Sequence, residues 1–230
     1  MIMKYLAAVL AGVILGNGAV YCFNNIPASW LTDYGEEPKA AVTGPGEQRI
    51  KSYPWKYLFS MLFVAVCVYM VWRDWRSAVP MTAALWLLLE MSAADIKYRI
   101  IPDQFTILLA VSAIGFVNFH SGWTDCLLGA AAGFGLMGAI ALVGKLAYRR
   151  MAIGGGDIKL YAGLGLFTGA AGILTIFVLA TLFSGAHFVY LLAARRIKKT
   201  DTMPMVPYTA VAALLYFLFL WGRIDFVFSL

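Results

Sequence analysis

Charge is scarce in this chain. Only 13% of its 230 residues are Asp, Glu, Lys or Arg, while 62% are hydrophobic. Soluble domains carry about 25% charged residues, so a water-soluble globular fold is excluded. Cysteine is scarce as well: Cys22, Cys67 and Cys126 lie in or beside apolar stretches with no CxxC spacing. Neither a disulfide framework nor a zinc knuckle has the residues it needs. His120 and His187 stand apart from one another, and neither is expected to hold a metal. No GxSxG, HExxH or dinucleotide-type glycine fingerprint occurs, which leaves serine, zinc and nucleotide chemistry without a residue set.

What the chain does have is long apolar runs, at 5–23, 57–72, 78–94, 104–119, 124–147, 157–169, 171–193 and 206–221. They are continuous, unlike the ten-residue alternation of a membrane β-barrel. The expected class is an all-α polytopic membrane protein with about eight transmembrane helices. The run 157–169 is the weak element, because thirteen residues span about 20 Å against a hydrocarbon core of about 30 Å. It reads either as a buried, partly crossing helix or as one extended through 167–172, with Gly169 and Gly172 marking a turn. The apolar stretch from Tyr5 to Phe23 is expected to be a retained first helix rather than a cleaved signal.

The net charge of +6 is not a nucleic-acid signal, because the cations sit in short joints between apolar runs. With the N-terminus outside, Lys4, Arg73, Arg76 and Arg223 are the four outer cations, so 18 minus 4 leaves 14 Lys and Arg on the inner side. That is the positive-inside bias, which places loops 24–56, 95–103, 148–156 and 194–205 in the cytoplasm. Loop 24–56, with Pro27, Pro38, Gly44, Pro45 and Pro54, reads as an irregular hairpin or small cap. Gly129, Gly133, Gly135 and Gly138 read as small faces for close helix packing.

Two aspartates stand out. Asp95 closes MTAALWLLLEMSAAD, and Asp157 follows three glycines in AIGGGDIKL, just after Arg149 and Arg150. Two crossings separate them, so both are expected at the same membrane face. An ionised carboxylate at a helix centre costs about 2.5–3.5 kcal/mol, and the cost falls at the boundary. Two carboxylates in one site do not both ionise cheaply. One then takes a proton from water while the other, protonated, polarises a peptide carbonyl, which is aspartic proteolysis without a metal. By pattern alone, ion-coupled transport and a structural polar pair stay open. Gly154–Gly156 are expected to permit unusual φ values and a close backbone approach. Asp103, after Pro102, is expected to N-cap the next helix or support the site. Glu90 is expected to tune Asp95, bond a neighbouring helix or face water.

The segment SAADIKYRIIPDQFT resembles the D-(x)6-[IL]PD pattern of the bacterial type IV prepilin peptidases, and IGGGDIKL resembles their GxGDxKL motif. Order and intervening crossings also match, over about residues 80–220. The resemblance implies a GxGD-type membrane aspartic protease fold, with Asp95 and Asp157 as the catalytic pair. Gly154 and Gly156 would shape the site, Lys159 would take the motif lysine, and Asp103 and Glu90 would support. MPMVPYTA, with Pro204 and Pro207, echoes the family's late proline-containing segment. The N-terminal part departs: GNGAVYCFNNIP keeps Gly16 and Pro27 of the usual start, and loop 24–56 has no cysteine. A zinc-binding subdomain is therefore not expected.

The implied organisation is a first helix plus loop over 1–56 and a multi-helix peptidase body over 57–230. The implied activity is removal of the basic leader from type IV prepilins or pseudopilins at the bacterial inner membrane, with the site facing the cytoplasm. The alternatives are a polytopic transporter and a non-catalytic pilus assembly factor; neither an inverted repeat nor paired broken helices is visible for transport. No cofactor is expected for proteolysis, and S-adenosylmethionine only if the newly exposed pilin residue is also N-methylated. The expected partners are the prepilin substrate and membrane lipid, with no nucleic acid. Glu36, Glu37 and Glu47 in loop 24–56 offer a contact for a basic leader.

Overall fold

The computed structural model describes residues 2–32, 48–120, 122–148, 153–198 and 202–223. Glu36, Glu37, Glu47, Pro38, Gly44, Pro45, Arg149 and Arg150 lie outside the described residues. The described regular structure is helical throughout. In chain order it comprises α1 (Ile2–Asn25), a 3-10 turn (Ala28–Leu31), α2 (Ser52–Tyr98), α3 (Asp103–Ser112) continued as 3-10 over Ala113–Phe119, α4 (Trp123–Tyr148), α5 (Gly155–Ala193) and α6 (Val206–Leu215), which ends in a π-type turn over Tyr216–Leu220. Among these, α1, α2, α4 and α5 are each long and apolar enough to cross a membrane. The chain is an all-α, multi-span membrane protein. Its outward faces carry exposed Leu127, Phe134, Leu142, Val178 and Leu182, as a lipid-facing surface requires.

The two longest helices are hairpins. Helix α2 loses helical geometry at Asp74 (φ −159°, ψ 112°), and its two arms fold together. The Cys67 thiol lies 4.0 Å from the Thr82 hydroxyl, whereas fifteen residues of straight helix would separate them by about 22 Å. Asp74 restarts the helix as its N-cap, accepting the amides of Arg76 at 3.1 Å and Ser77 at 3.2 Å. Helix α5 breaks at Gly169, whose φ of 70° and ψ of 177° suit only glycine. Its second arm returns along the first, so that Tyr161 and Phe177 bring their rings to 6.0 Å instead of the roughly 24 Å of a straight helix. The turn predicted for Gly169 and Gly172 thus falls on Gly169 alone. Gly172 is helical and packs against the Tyr216 phenol.

The arm 155–168 has the character of the buried, partly crossing helix predicted for 157–169. Leu160, Tyr161, Leu164 and Phe167 are fully buried in it. It lies against α4 through backbone: a Cβ on Gly129 would stand 2.1 Å from the Gly165 carbonyl oxygen, a contact that only paired small residues permit. Gly133 is in the same seam, but Gly135 and Gly138 face open space, so half of the predicted packing glycines do no packing here. Helix α1 lies equally close on α2 at Gly12 and Gly16. At its end, Arg49 Nη1 donates to the carbonyls of Phe23 (3.0 Å) and Ile26 (2.6 Å). This satisfies groups that a helix C-terminus leaves bare and ties Arg49 to the end of α1.

Candidate active site

Asp95 sits one turn from the end of α2. That helix stops because Arg99 takes a left-handed conformation (φ 59°) and its N–H closes on the Asp95 carbonyl at 3.1 Å. The next residues, Ile100–Pro102, turn the chain into α3. Asp157 sits in the first turn of α5, whose N-cap is Gly154. Both carboxylates line one cavity of about 560 Å³, close enough for the charge of Asp95 to act on Asp157. The cavity's other charged groups are Arg99, Asp103 and Lys159, and its apolar edge includes Ile101 and Trp30.

Each acid faces the positive end of a helix. Asp157 lies at the start of α5, and Asp95 Oδ2 accepts the Val206 amide, the first of α6, at 3.0 Å. Partial positive charge at helix N-termini stabilises nearby anions, which offsets part of the repulsion between two carboxylates sharing a site. Helix α6 is tied to α5 one turn beyond Asp157. There the fully buried Tyr161 hydroxyl meets the Thr209 hydroxyl at 3.0 Å, and Thr209 donates to the Met205 carbonyl at 3.2 Å. The wall that holds Asp95 is therefore registered against the helix that carries Asp157.

The supporting residues sort differently. Lys159 reaches Asp103 with both carboxylate oxygens in range, at 3.0 and 2.8 Å. Asp103 is not the N-cap that its position after Pro102 predicts: α3 starts at Asp103 itself with Pro102 as cap and no side-chain capping bond, because the carboxylate turns to Lys159 instead. The glycines serve close approach rather than unusual φ. Gly156 admits the Ile101 side chain, which a Cβ would meet at 3.0 Å. Gly154 has an ordinary extended backbone, and the positive φ values among described glycines fall at Gly122, Gly169 and Gly222. The IPD loop and the GGGD loop thus interlock, and their spacing in sequence is the record of that contact. Glu90 does not line the cavity. It is 1% exposed, neither of its oxygens has a hydrogen-bond partner among the described residues, and its charge is felt at Cys22 of α1. Among the described residues no group of three or more His, Cys, Asp and Glu is placed to hold a metal ion.

Ser29, Trp30 and Thr32 from the first loop also line the cavity, and Trp30 stands edge-on to Phe105 of α3 at 6.0 Å. Sequence reading missed Trp30, because one tryptophan in an irregular loop gives no signal. It missed Val206 because an amide donor has no side-chain signature, although the proline-flanked MPMVP run marks the place.

A protein-family model described as the type IV leader peptidase family matches residues 82–190, a stretch that holds both aspartates. The chain is similar to this family over that stretch. Similar members are the prepilin leader peptidase/N-methyltransferases of Xanthomonas campestris and Aeromonas salmonicida. The first is 29% identical, covering 87% of this chain and 68% of the relative. The second is 26% identical, covering 90% and 69%. The Bacillus subtilis protein of the same name is 28% identical over 61% of this chain and 55% of its own length. No solved structure matches the chain. The family match covers the IPD and GGGD loops but stops short of α6 and does not reach Trp30, so the two walls completed by those residues come from geometry alone.

Proposed function

We propose that this chain is a member of the type IV leader peptidase family and a membrane aspartic endopeptidase that removes the basic leader from type IV prepilins or pseudopilins, with Asp95 and Asp157 as its catalytic pair. One observation carries the reading: two carboxylates from segments sixty residues apart line a single polar cavity, each against a helix N-terminus. In the reaction the ionised member of the pair takes a proton from water as the water oxygen attacks the scissile carbonyl carbon. The protonated member donates a hydrogen bond to the carbonyl oxygen. The tetrahedral intermediate collapses as a proton passes to the leaving nitrogen, freeing the leader's carboxylate and the pilin's amine. The two protons belong to the pair rather than to either residue. Lys159 and Asp103 brace the cavity, Gly156 gives the Asp157 loop its close fit on Ile101, Gly154 caps the helix that carries Asp157, and Glu90 stays outside the chemistry.

The membrane reading follows. The breaks at Asp74 and Gly169 support about eight crossings in a GxGD-type fold. Positive-inside bias supports an outer N-terminus and a site at the cytoplasmic face of a bacterial inner membrane. Residues 1–56 then serve as a cap, through Trp30, on the peptidase body of 57–230. A prepilin presents a basic leader ahead of an apolar helix, so a helix in the bilayer delivers its leader junction to a carboxylate-lined cavity at the headgroup level.

Methyl transfer, the second activity in the relatives' names, uses S-adenosylmethionine, a cation at sulfur. The large apolar groove beside α6 bears Arg49, Lys51 and Lys97 and does not suit a cation, while the polar cavity holds the two aspartates. No methyl-transfer step is assigned to these residues. The test is incubation of purified protein in lipid with a prepilin, read by mass spectrometry for both the cut and any added methyl group. A new N-terminus at the leader junction is expected. Bound but uncut prepilin would favour an assembly factor, and ion or solute flux without cleavage would favour a transporter.

A further inference from the structure

Beside α6 lies a second cavity, also about 560 Å³. Its walls are apolar: Phe59 and Phe63 from one arm of α2, Leu85 and Leu89 from the other, and Val211 and Leu214 from α6. One end is different. Arg49, Lys51 and Lys97 line it, and no carboxylate lines the groove among the described residues. Arg49 is anchored through the α1 carbonyls, and Lys97 donates to the Arg49 carbonyl, so two of the three cations are fixed in place while Lys51 is exposed. From Lys97 to Leu85 the groove runs twelve residues along one helix, about 18 Å. That is close to the thickness of one leaflet of hydrocarbon, half of about 30 Å.

We propose that this groove is a binding site for a glycerophospholipid of net negative headgroup, one acyl chain lying along the apolar walls and the phosphate held by Lys51 and Lys97. Basic pockets between transmembrane helices bind such headgroups. The length suits an acyl chain from a single leaflet. The charge excludes the other apolar segment at hand, a prepilin helix, because its basic leader would meet three cations. Zwitterionic lipid brings a cation of its own to the same three. The groove is coupled to the site through α6: Pro207, Ala210, Val211 and Leu214 line the groove, while Val206 donates to Asp95 and Thr209 meets Tyr161. An occupied groove therefore backs α6 and steadies the amide that Asp95 accepts.

The test uses the full chain, purified in detergent and titrated with phosphatidylglycerol or with phosphatidylcholine of identical acyl chains, and read by native mass spectrometry. One phosphatidylglycerol should be retained at concentrations where phosphatidylcholine is not. Lys51→Gln and Lys97→Gln should each weaken that retention about fivefold. Ala210→Trp should abolish it by filling the groove with the charges intact, and a melting curve would confirm that each variant is folded. Hydrogen exchange supplies a second readout, because phosphatidylglycerol should slow exchange of the first amides of α6 in the parent but not in Ala210→Trp. Equal retention of the two lipids, or an unchanged preference in the double lysine variant, overturns the site. Selective retention without slowed exchange in α6 overturns its link to Asp95. A photocross-linker at residue 93 that captures a second copy of the chain rather than lipid overturns the occupant. None of these readouts depends on proteolysis, so their failure is separate from failure of the peptidase reading.

Discussion

Helix α6 links two cavities of equal size and opposite chemistry: its first amide binds Asp95 of one, and another of its faces lines the second. In the first, Asp95, Asp103 and Asp157 share a polar space with Arg99 and Lys159; in the second, an apolar trough carries cations only at its end. The difference shows how this fold tolerates acids in a membrane. A carboxylate in hydrocarbon is costly; Asp95 and Asp157 are collected where helix N-termini face them, and among the described residues no acid lines the apolar groove. Glu90 marks the boundary between the two regimes. It lies five residues before Asp95 on the same helix, yet it is sealed from the cavity and has no hydrogen-bond partner among the described residues.

The contrast predicts a hierarchy of effects. The largest belongs to the cavity acids: Asp95→Asn or Asp157→Asn should slow prepilin cleavage by about a thousandfold or more, with melting behaviour retained. A folded variant of either that cleaves at the parent rate would remove the distinction between the two cavities. Next come the backbone contacts that hold the Asp157 helix in place. Gly129→Ala drives a Cβ to 2.1 Å from the Gly165 carbonyl oxygen and should cost about 1–3 kcal/mol by overpacking. Gly135→Ala, on the same helix but facing open space, should melt like the parent, so the pair of melting curves separates seam from surface. Tyr161→Phe removes the hydroxyl that joins α5 to α6 and should lower stability by about 1 kcal/mol, again read by melting. Lys159→Ala breaks a half-exposed ion pair with Asp103 and should cost at most about 1 kcal/mol, since solvent screens such pairs. The smallest effect is expected at Glu90. Glu90→Gln keeps the shape, so the rate and pH profile of cleavage should match the parent; a displaced profile would move Glu90 into the chemistry and blur the line that the two cavities draw.

Sequence patterns made some of this legible and hid the rest for identifiable reasons. The break was visible in part, because Gly169 and Gly172 marked a turn between two apolar runs that together are too long for one crossing. Asp103 was open between capping and support, and only the neighbouring helix reveals that Lys159 takes the carboxylate away from the cap. The glycines before Asp157 were read as permitting unusual φ values and a close backbone approach, but Gly154 is ordinary in φ and what approaches Gly156 is the side chain of Ile101, a residue of the other motif. The contacts of Trp30 and Val206 left no pattern to read, since one is a lone ring in a loop and the other is a main-chain amide.

By itself the sequence determined that the chain lives in a membrane, where its helices run, and which two acids stand at helix ends on the same side. Hydrophobic periodicity, charge placement and local motifs are properties of neighbouring residues, so they can be read along a line. Only the tertiary structure decided that Asp95 and Asp157 share one cavity, that α6 turns its first amide to Asp95, and that Glu90, a few residues away, is shut out. Those outcomes depend on how closely helices approach and which faces they turn to each other, and such distances are set by packing between segments far apart in the chain.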